Sequence, residues 1–350
     1  MPEPGSEFAR IAALLASLPP GEGVVVGPGD DAAVLEMRAG RDLVATTDAF
    51  VEGGHFRRDL LTPAEAGSRL AAANLSDIAA MAAEPRWALL SLVVPRTWSQ
   101  AECLMLERAC ARALAADGAA IVGGNLAAAE GPFSATLMLM GDVERGAAWT
   151  RAGAQPGDIL AVSGFPGSAA AFVALALWGN PPSRARVPSA IVERVVAPAS
   201  RVKLARALAA TGGVHAAIDL SDGLAADLGH VCKASSVGAL VVEALLPVDD
   251  ALHEAARALS ASAGQERGPL PAEAGGLLTR LRLGASDDYE LLLSVDPTKW
   301  ADCERIAHEL GVPLTFVGEF MAGNDRVLRT TSGADVPLEV PGWDHFANGG

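Results

Sequence analysis

The sequence predicts two domains of mixed α and β structure, of either the α/β or the α+β class. Strand-like and helix-like segments alternate through the first half of the chain, and the same alternation begins again in the second half. Between them, from Gly141 to Asp158, the composition turns to Gly, Arg and Pro, which favours a domain boundary. With 350 residues, half of them hydrophobic, the chain can bury two cores. We therefore predict an N-terminal domain over residues 1–145 and a C-terminal domain over residues 146–350.

Two capping boxes predict the helices of the first half. Thr62 is the expected N-cap of the first, with Pro63 at the first helical position and Glu65 at the third. That helix should extend towards Ala83. The second capping box, Ser99 with Glu102, predicts a helix that ends near Asp117-Gly118. Short apolar runs predict strands at Val24–Val26, Leu43–Ala45, Trp87–Val94, Ala119–Val122 and Phe133–Met140.

The second half repeats this alternation of apolar runs and helical patterns. The stretch Ser260–Gly276 is rich in Gly, Ala, Pro and Ser and predicts a mobile surface loop. Helices are predicted around Ala169–Trp178, Arg201–Ala210 and Leu224–Ala234. Strands are predicted at Ile159–Ser163, Val214–Leu220, Ala239–Val242 and Tyr289–Val295.

Composition excludes several classes of protein. A net charge of −15 argues against a nucleic-acid binder, which needs a basic surface. The longest apolar stretch, Ala169–Trp178, is too short to span a membrane, so we expect no membrane partner. The four cysteines form no CxxC pair, which favours a reduced, cytoplasmic setting. No lysine closes a GxxxxGK[ST] loop, so a P-loop enzyme is excluded.

Acidic residues gather at predicted strand ends and helix starts. Side chains and backbone N–H groups converge at such positions, and clustered Asp, Thr, Ser and Asn supply the oxygen ligands that Mg²⁺ prefers. An acidic protein that handles a phosphorylated ligand has to recruit cations, so the pattern predicts metal-dependent nucleotide chemistry. These positions are Asp30-Asp31, Asp48, Asp219, Asp222 and Asp287-Asp288, and Asp77 adds a carboxylate inside an apolar predicted helix.

Each motif also has an ordinary structural interpretation. Asp222-Gly223 alone is typical of a turn and helix cap, and Gly29-Asp30-Asp31 and Gly123-Gly124-Asn125 are typical of turns. Asp77 is harder to explain in this way, because a carboxylate in so apolar a helix needs a partner.

Taken together and in order, the motifs resemble the thiamine-monophosphate kinase family, in the superfamily that includes aminoimidazole ribonucleotide synthetase. The resemblance extends over nearly the whole chain. It rests on Gly29-Asp30-Asp31-Ala32-Ala33, Thr46-Thr47-Asp48, Glu52-Gly53-Gly54-His55-Phe56, Asn74-Leu75-Ser76-Asp77, Gly123-Gly124-Asn125, Thr150-Arg151-Ala152-Gly153, Ile218-Asp219-Leu220-Ser221-Asp222-Gly223-Leu224, Asp288-Tyr289-Glu290-Leu291 and Gly342-Trp343-Asp344-His345-Phe346.

The resemblance implies an ATP-binding N-terminal α/β domain, a C-terminal α/β domain and a homodimer formed through the N-terminal domains. It implies direct, in-line transfer of the ATP γ-phosphoryl group to thiamine phosphate, assisted by several Mg²⁺ ions. The chain agrees with this, since it has many metal-type carboxylates and no obvious activated nucleophile.

The resemblance also assigns roles by motif. Metal-binding positions are Asp31, Thr46, Thr47, Asp48, Asp77, Asn125, Asp219 and Asp222. Nucleotide-binding positions are Gly124, Asn125, Arg151 and Ser221, and substrate contacts are His55, Asp287 and Trp343. Outside the family context, His55 would be interpreted as a loop histidine and Trp343 as a core residue.

Two positions depart from the family pattern. The usual Gly-Gly-Asp-Thr-Thr-Arg becomes Gly123-Gly124-Asn125 followed by Leu126, so one ligand loses its charge. The usual Gly-Gly-Glu becomes Ala285-Ser286-Asp287, with a carboxylate one methylene shorter. A non-catalytic nucleotide-binding relative is therefore an alternative. Other enzymes of the superfamily, the selenophosphate synthetases and a hydrogenase-maturation protein, are disfavoured because neither end of this chain carries the reactive cysteine that they use.

Overall fold

A computed structural model describes residues 13, 16, 18, 21–28, 31–262, 276–340 and 342–343. The chain divides into two compact units. Met1–Ala148 and Val196–Val202 belong to the first, and Trp149–Val195 and Lys203–Gly350 belong to the second. The sequence pattern did not indicate that Val196–Val202 joins the first unit. The roles predicted for domains 1–145 and 146–350 stay predictions.

The first unit is built on a four-stranded sheet in the order β3-β6-β4-β5. Strands β3 and β4 both run antiparallel to β6, whereas β4 and β5 are parallel. A separate antiparallel pair, β1 and β2, precedes this sheet. The strands are β1 Val24–Val26, β2 Val34–Leu35, β3 Arg41–Val51, β4 Glu84–Val94, β5 Ala120–Ala128 and β6 Ser134–Glu144.

Two helices, α1 (Pro63–Ala80) and α2 (Gln100–Ala116), pack against each other, and α1 also packs on β3 and β6. Both predicted capping boxes are present, so these two helix starts are confirmed. On β6 the burial alternates, because Leu137 and Leu139 are fully buried while Met138 is 38% exposed. One face of the sheet is therefore covered by helix. The other is open around Leu43 and Met138, and it is covered in part where Val24 and Leu35 pack with Trp87 and Met140.

The second unit contains a seven-stranded sheet in the order β13-β12-β9-β11-β7-β10-β8. Neighbouring strands are antiparallel except for the parallel pair β9 and β12. Its strands are β7 Ile159–Ser163, β8 Val214–Leu220, β9 Gly238–Val242, β10 Glu290–Val295, β11 Leu314–Met321, β12 Arg326–Arg329 and β13 Asp335–Pro337.

The helices that follow residue 149 in the described part of the chain complete the core. Leu160, Ile218, Leu292 and Phe320 from the sheet are buried in one cluster with Leu228 of helix α6. The helices are α3 Ser168–Ala176, α4 Ser189–Val196, α5 Val202–Ala209, α6 Leu224–Ser235, α7 Asp250–Ser262, α8 Leu277–Leu283 and α9 Trp300–Glu309. The predicted fold class, two domains of mixed α and β structure, is confirmed.

Three predicted strand ends are wrong, and one of them is that of β6, which continues past Met140 to Glu144. Strand β3 does not stop at Ala45, because its pairing with β6 continues through Val51 and takes in Thr46-Thr47-Asp48. Strand β5 continues through Gly123-Gly124-Asn125 to Ala128, because each residue there pairs with β4. The interpretation of Gly123-Gly124-Asn125 as a turn is therefore wrong, since strand pairing outweighs the local preference for a turn.

Most of the predicted surface loop Ser260–Gly276 lies outside the described residues, and residues 260–262 form the end of α7. The sequence analysis did not predict β2, β11, β12, β13, α4, α7, α8 or α9. None of the helices in the described ranges is long and apolar enough to cross a membrane.

Candidate active site

Strand β3 and helix α1 bring three predicted metal ligands together. Thr46 and Asp48 are two positions apart on β3 and share the face that α1 covers. The Thr46 hydroxyl donates a hydrogen bond to Oδ2 of Asp77 on α1. Burial raises the pKa of Asp48 to about 6, and the negative charge of Asp77 adds to this effect. Among the described residues, the Asp48 carboxylate accepts no hydrogen bond.

The residues around Asp77 fit a hard cation. Asn74 lies three positions earlier on α1, so it shares the helix face of Asp77. Its Nδ2 donates to the Leu70 carbonyl at 3.0 Å, but its buried Oδ1 has no hydrogen-bond partner in the part of the chain that is described. Thr46, Asp48 and Asp77 offer a hydroxyl and two carboxylates, and the orphaned Asn74 oxygen lies on the helix that carries Asp77; oxygen donors of these types suit Mg²⁺.

The structure does not bring every predicted ligand of the first unit to Asp77. The side chain of Thr47 points to the open face of the sheet, where its hydroxyl donates to the Leu137 carbonyl at 3.2 Å. Asp31 is exposed and precedes β2. The metal roles of Thr47 and Asp31 stay predictions.

Gly124 and Asn125 are exposed on β5, beside Leu90 and Ser91 of the parallel strand β4. A Cβ at Gly124 would lie 1.9 Å from the Leu90 carbonyl oxygen, so only glycine allows this approach of the two backbones. The strand therefore presents Asn125 on regular, rigid backbone rather than on a turn, and its proposed ligand role stays a prediction.

His55 is held in a tight loop after β3. Its backbone N–H donates to the Val51 carbonyl at 2.8 Å, and its Nδ1 accepts from the Val51 N–H at 3.2 Å. The next residue, Phe56, is buried and stacks on Phe50. Because Nδ1 is the acceptor, this contact requires a neutral imidazole whose Nε2–H is the donor.

In the second unit, a buried carboxylate shapes the turn that carries Ser221 and Asp222. Oδ2 of Asp227, in the first turn of α6, accepts the backbone N–H groups of Ser221, Asp222 and Gly223 at 3.2, 3.1 and 3.0 Å. Burial raises the pKa of Asp227 to about 7, although these hydrogen bonds oppose the shift. One ligand atom each from Asp222, Asp227 and His230 lie within 4.8 Å of one another.

Asp219 is buried at the end of β8, two residues before this turn. The backbone N–H of Tyr289 donates to the Leu220 carbonyl at 2.9 Å, which joins the end of β8 to the loop that carries Asp287. The structure therefore brings Asp219, Ser221, Asp222 and Asp287 to neighbouring loops of the second unit.

The loop of Asp287 is anchored on both sides of that residue. The Asp288 carboxylate accepts from the backbone N–H of Gly167 at 2.6 Å and of Ala169 at 2.9 Å, and the Ser286 hydroxyl donates to it at 2.7 Å. Asp288 thus caps helix α3 from a distant loop, since that helix has no side-chain cap of its own. Burial raises the pKa of Asp288 to about 6. Asp287 itself remains partly exposed.

Trp343 is 50% exposed, so its interpretation as a core residue is wrong. Its neighbour Gly342 packs against the start of α6, where a Cβ would lie 2.6 Å from that of Ala226 and 3.3 Å from that of Asp222. The structure therefore places this segment beside the Asp222 turn.

Sequence reasoning gave no role to Asn74, Asp227 or Ser286, and it counted Asp288 among the acidic positions without predicting that it caps a helix. A signal was available for Asp227, because an acidic residue in the first turn after Asp222-Gly223 can accept free N–H groups at a helix start. Asp288 has no such local signal, since the helix that it caps begins at residue 168.

Comparisons with known proteins agree over most of the chain. The family model for AIR synthase related protein matches residues 29–143 with its N-terminal domain and residues 155–330 with its C-terminal domain. Thiamine-monophosphate kinase of Escherichia coli O157:H7 is 35% identical over 324 residues, which cover 93% of each protein. The crystal structure of thiamine-monophosphate kinase from Stenotrophomonas maltophilia K279a is 31% identical, covers 94% of this chain and 96% of that chain, and has a TM-score of 0.75. AaThiL, solved in complex with AMPPCP and TMP, is 26% identical over 89% of each chain, with a TM-score of 0.71.

By fold and by family model, the chain is an AIR synthase related protein. Within that class it belongs to the thiamine-monophosphate kinase family, as its identity to full-length members shows.

Proposed function

We propose that this protein transfers the γ-phosphoryl group of ATP to thiamine phosphate, which gives thiamine diphosphate and ADP. The observation that carries the proposal is the oxygen cluster of Thr46, Asp48 and Asp77 in a member of this family. Neighbouring carboxylates repel each other, and a cation bound by both relieves that repulsion. A phosphoryl-transfer enzyme of this class uses such a site to hold metal ions against phosphate oxygens.

The metal-binding part of the proposal assigns Mg²⁺ to the oxygen ligands of both units. In the first unit these are Thr46, Asp48 and Asp77, with Asp31, Thr47 and Asn125 as further candidates; in the second they are Asp219 and Asp222. Bound Mg²⁺ supplies charge neutralisation for the phosphoryl groups. The chain's own task is to place Asp48 of β3 near Asp77 of α1, with the Thr46 hydroxyl hydrogen-bonded to Asp77.

For the nucleotide, we assign Arg151, Ser221, Gly124 and Asn125. Arg151 is exposed and its guanidinium can give a phosphate group two charge-assisted hydrogen bonds. Ser221 is exposed on the turn that Asp227 holds, so its hydroxyl is available to a ligand. No side chain here needs to become phosphorylated, which fits direct transfer.

For thiamine phosphate, we assign His55, Asp287 and Trp343. The Nε2–H of a neutral His55 can donate to a phosphate oxygen, and its orientation is held by the Val51 N–H. Asp287 can face the aminopyrimidine, and the exposed ring of Trp343 can stack on a cationic heterocycle.

The direct test incubates the purified protein with ATP, Mg²⁺ and thiamine phosphate and separates the products by chromatography. We expect equal amounts of thiamine diphosphate and ADP, and neither product in EDTA. ADP without thiamine diphosphate would contradict the kinase assignment and indicate another ATP-using reaction.

One specific observation favours a second candidate, a relative that binds nucleotide or thiamine phosphate without turnover. Asn125 replaces a charged ligand of the family pattern. The test above separates the two, because binding without product would support the second candidate. Enzymes of the superfamily that use a reactive cysteine are disfavoured further, since Cys103, Cys110, Cys232 and Cys303 are all buried.

The proposal includes a homodimer formed through the first unit, and a cytoplasmic location. The open face of the four-stranded sheet exposes Leu43 by 53% and Met138 by 38%, beside the small residues Ala45 and Ala49. Strand β3 is also a long edge strand, and such edges and apolar faces need a cover. Light scattering should give twice the chain mass for the parent, and the monomer mass for a Leu43→Arg, Met138→Lys double variant. A monomeric parent would contradict the dimer.

A further inference from the structure

We propose that Ser235 is a positioning residue for nucleotide binding, because its hydroxyl holds the backbone from which Arg151 extends. Ser235 is the last residue of α6 and is half-buried. No motif of the family pattern includes it. The inference rests on the proposed function, in which Arg151 contacts ATP.

The hydroxyl of Ser235 makes three hydrogen bonds to one short segment. It accepts from the backbone N–H groups of Gly153 and Ala154, both at 3.1 Å, and donates to the Arg151 carbonyl at 3.1 Å. A serine hydroxyl has one donor and two acceptor sites. All three sites are therefore used in hydrogen bonds to the backbone of Arg151–Ala154.

The rest of the segment is fixed to strand β8. The Thr150 carbonyl accepts from the Ala217 N–H at 3.0 Å. Gly153 has a φ of +126°, and a Cβ there would lie 2.3 Å from the His215 carbonyl oxygen, so the backbone lies directly on β8. Ser235 closes the outer side of the segment. With both sides held, the exposed Arg151 side chain extends from a backbone that cannot shift.

Helix α6 therefore has, at each end, a side chain that fixes the backbone of a predicted ligand-binding segment by hydrogen bonds. At its first turn Asp227 holds the turn of Ser221 and Asp222, and at its last residue Ser235 holds Arg151. Two groups that we assign to the nucleotide or its metal ions are thus kept at a constant spacing by one rigid helix. Such preorganisation lowers the entropy lost when a ligand binds.

The test is a double-mutant cycle between Ser235→Ala and Arg151→Ala, read by calorimetric binding of AMPPCP with Mg²⁺ and by the KM for ATP. Ser235→Ala, which removes the three hydrogen bonds of the hydroxyl, should weaken AMPPCP binding about five- to tenfold, the range expected for one set of hydrogen bonds. In a protein that already carries Arg151→Ala, Ser235→Ala should weaken AMPPCP binding by less than about a further twofold, because its effect depends on the Arg151 side chain. Ser235→Thr, which keeps the hydroxyl, should recover most of the affinity.

Thr330→Ala is the matched control. Like Ser235, Thr330 uses its hydroxyl to bind backbone: it accepts from the Ala334 N–H at 3.2 Å and donates to the Ala334 carbonyl at 3.0 Å. These bonds lie in the hairpin between β12 and β13, away from Arg151 in the sequence. It should leave AMPPCP binding unchanged. If Ser235→Ala proves too unstable to measure, Ser235→Cys takes its place in the cycle, since a thiol keeps the size and loses most of the hydrogen bonding.

Three outcomes are distinguishable. Equal AMPPCP binding by parent and Ser235→Ala, or full additivity of Ser235→Ala with Arg151→Ala, would overturn the positioning role while Arg151 remains a nucleotide contact. Unchanged binding by Arg151→Ala would overturn the nucleotide assignment on which the inference rests. Non-additivity with rescue by Ser235→Thr would support it.

Discussion

Acidic residues at the two candidate sites have opposite surroundings in the two units of this protein. In the first unit, half-buried Asp48 lies near Asp77 and accepts no hydrogen bond among the described residues, so no hydrogen bond offsets the cost of its charge. In the second unit, Asp227 is buried and Asp288 is half-buried, and each accepts hydrogen bonds from backbone N–H groups. Burial raises the carboxyl pKa of Asp48, Asp227 and Asp288 alike. Backbone N–H donors oppose that rise only in the second unit, at Asp227 and Asp288.

The difference separates the acids that we assign to a metal ion from acids that stabilise the fold. A carboxylate whose partners are backbone N–H groups is already satisfied, and removing it leaves those groups unpaired. A carboxylate whose neighbour is another carboxylate lowers stability until a cation arrives. Substitutions should therefore have opposite effects on stability in the two units, which the following experiments test.

The largest effect is expected for Asp77→Asn. The variant keeps the shape of the side chain but loses the charge that we assign to binding Mg²⁺, so thiamine diphosphate formation should fall about 10²-fold or more at saturating ATP and Mg²⁺. The rate is measured by chromatography of the product. Asp117→Asn, at the end of α2, is the control and should keep the parental rate. Near-normal turnover of Asp77→Asn would mean that the metal ions bind elsewhere.

Asp48→Asn should stabilise the protein in EDTA. Burial raises the pKa of Asp48 to about 6 in the folded protein, above its ordinary value of 3.8. The stability due to neutral Asp48 is therefore full below about pH 4 and is lost as the pH rises through 6. At pH 8 the variant should therefore unfold with a free energy higher by on the order of 2 kcal/mol, whereas at pH 4 the two proteins should be alike. Urea unfolding at both pH values measures this.

Added Mg²⁺ provides the second arm of that experiment. It should raise the stability of the parent at pH 8 and have a smaller effect on Asp48→Asn, because a ligand stabilises the state that binds it. If Asp48→Asn is less stable than the parent at pH 8 without metal, the contrast between the two units is wrong.

Asp288→Ala should lower the stability of the protein, the opposite of the effect expected for Asp48→Asn. It leaves the N–H groups of Gly167 and Ala169 without their acceptor at the start of α3, which should lower the free energy of unfolding by about 2 kcal/mol at pH 7.5. Asp287→Asn is the matched neighbour, with a small effect on stability and a raised KM for thiamine phosphate. A stable Asp288→Ala protein would show that α3 needs no cap from this loop.

The smallest effect is expected for Asn125→Asp. A carboxylate binds Mg²⁺ more strongly than a neutral amide oxygen, so restoring the charge should lower the Mg²⁺ concentration for half-maximal activity a few-fold. The KM for thiamine phosphate should change little. Superimposable Mg²⁺ titrations of the two proteins would remove Asn125 from the metal site.

Local chemistry made several parts of the fold predictable. The two capping boxes marked the starts of α1 and α2, and the apolar runs at Ile159–Ser163 and Val214–Leu220 match β7 and β8. These signals depend on neighbouring residues alone. Where pairing with a distant strand decides the outcome, local signals failed. Asp48 and Asn125 lie inside strands because β6 and β4 continue beside them.

By itself, the sequence indicated the kind of chemistry to expect. Its acidic motifs predicted metal-dependent nucleotide chemistry, because oxygen ligands are properties of residue types, and the order of its motifs added the family resemblance that implies phosphoryl transfer. Only the tertiary structure decided which acids meet. It placed Asp48 near Asp77. It also brought Asp288 to the N-terminus of α3, more than a hundred residues away in the chain, and the Ser235 hydroxyl to the Arg151 carbonyl. Charges and hydrogen bonds act over a few ångströms in space, and no spacing along the chain states which residues will be that close.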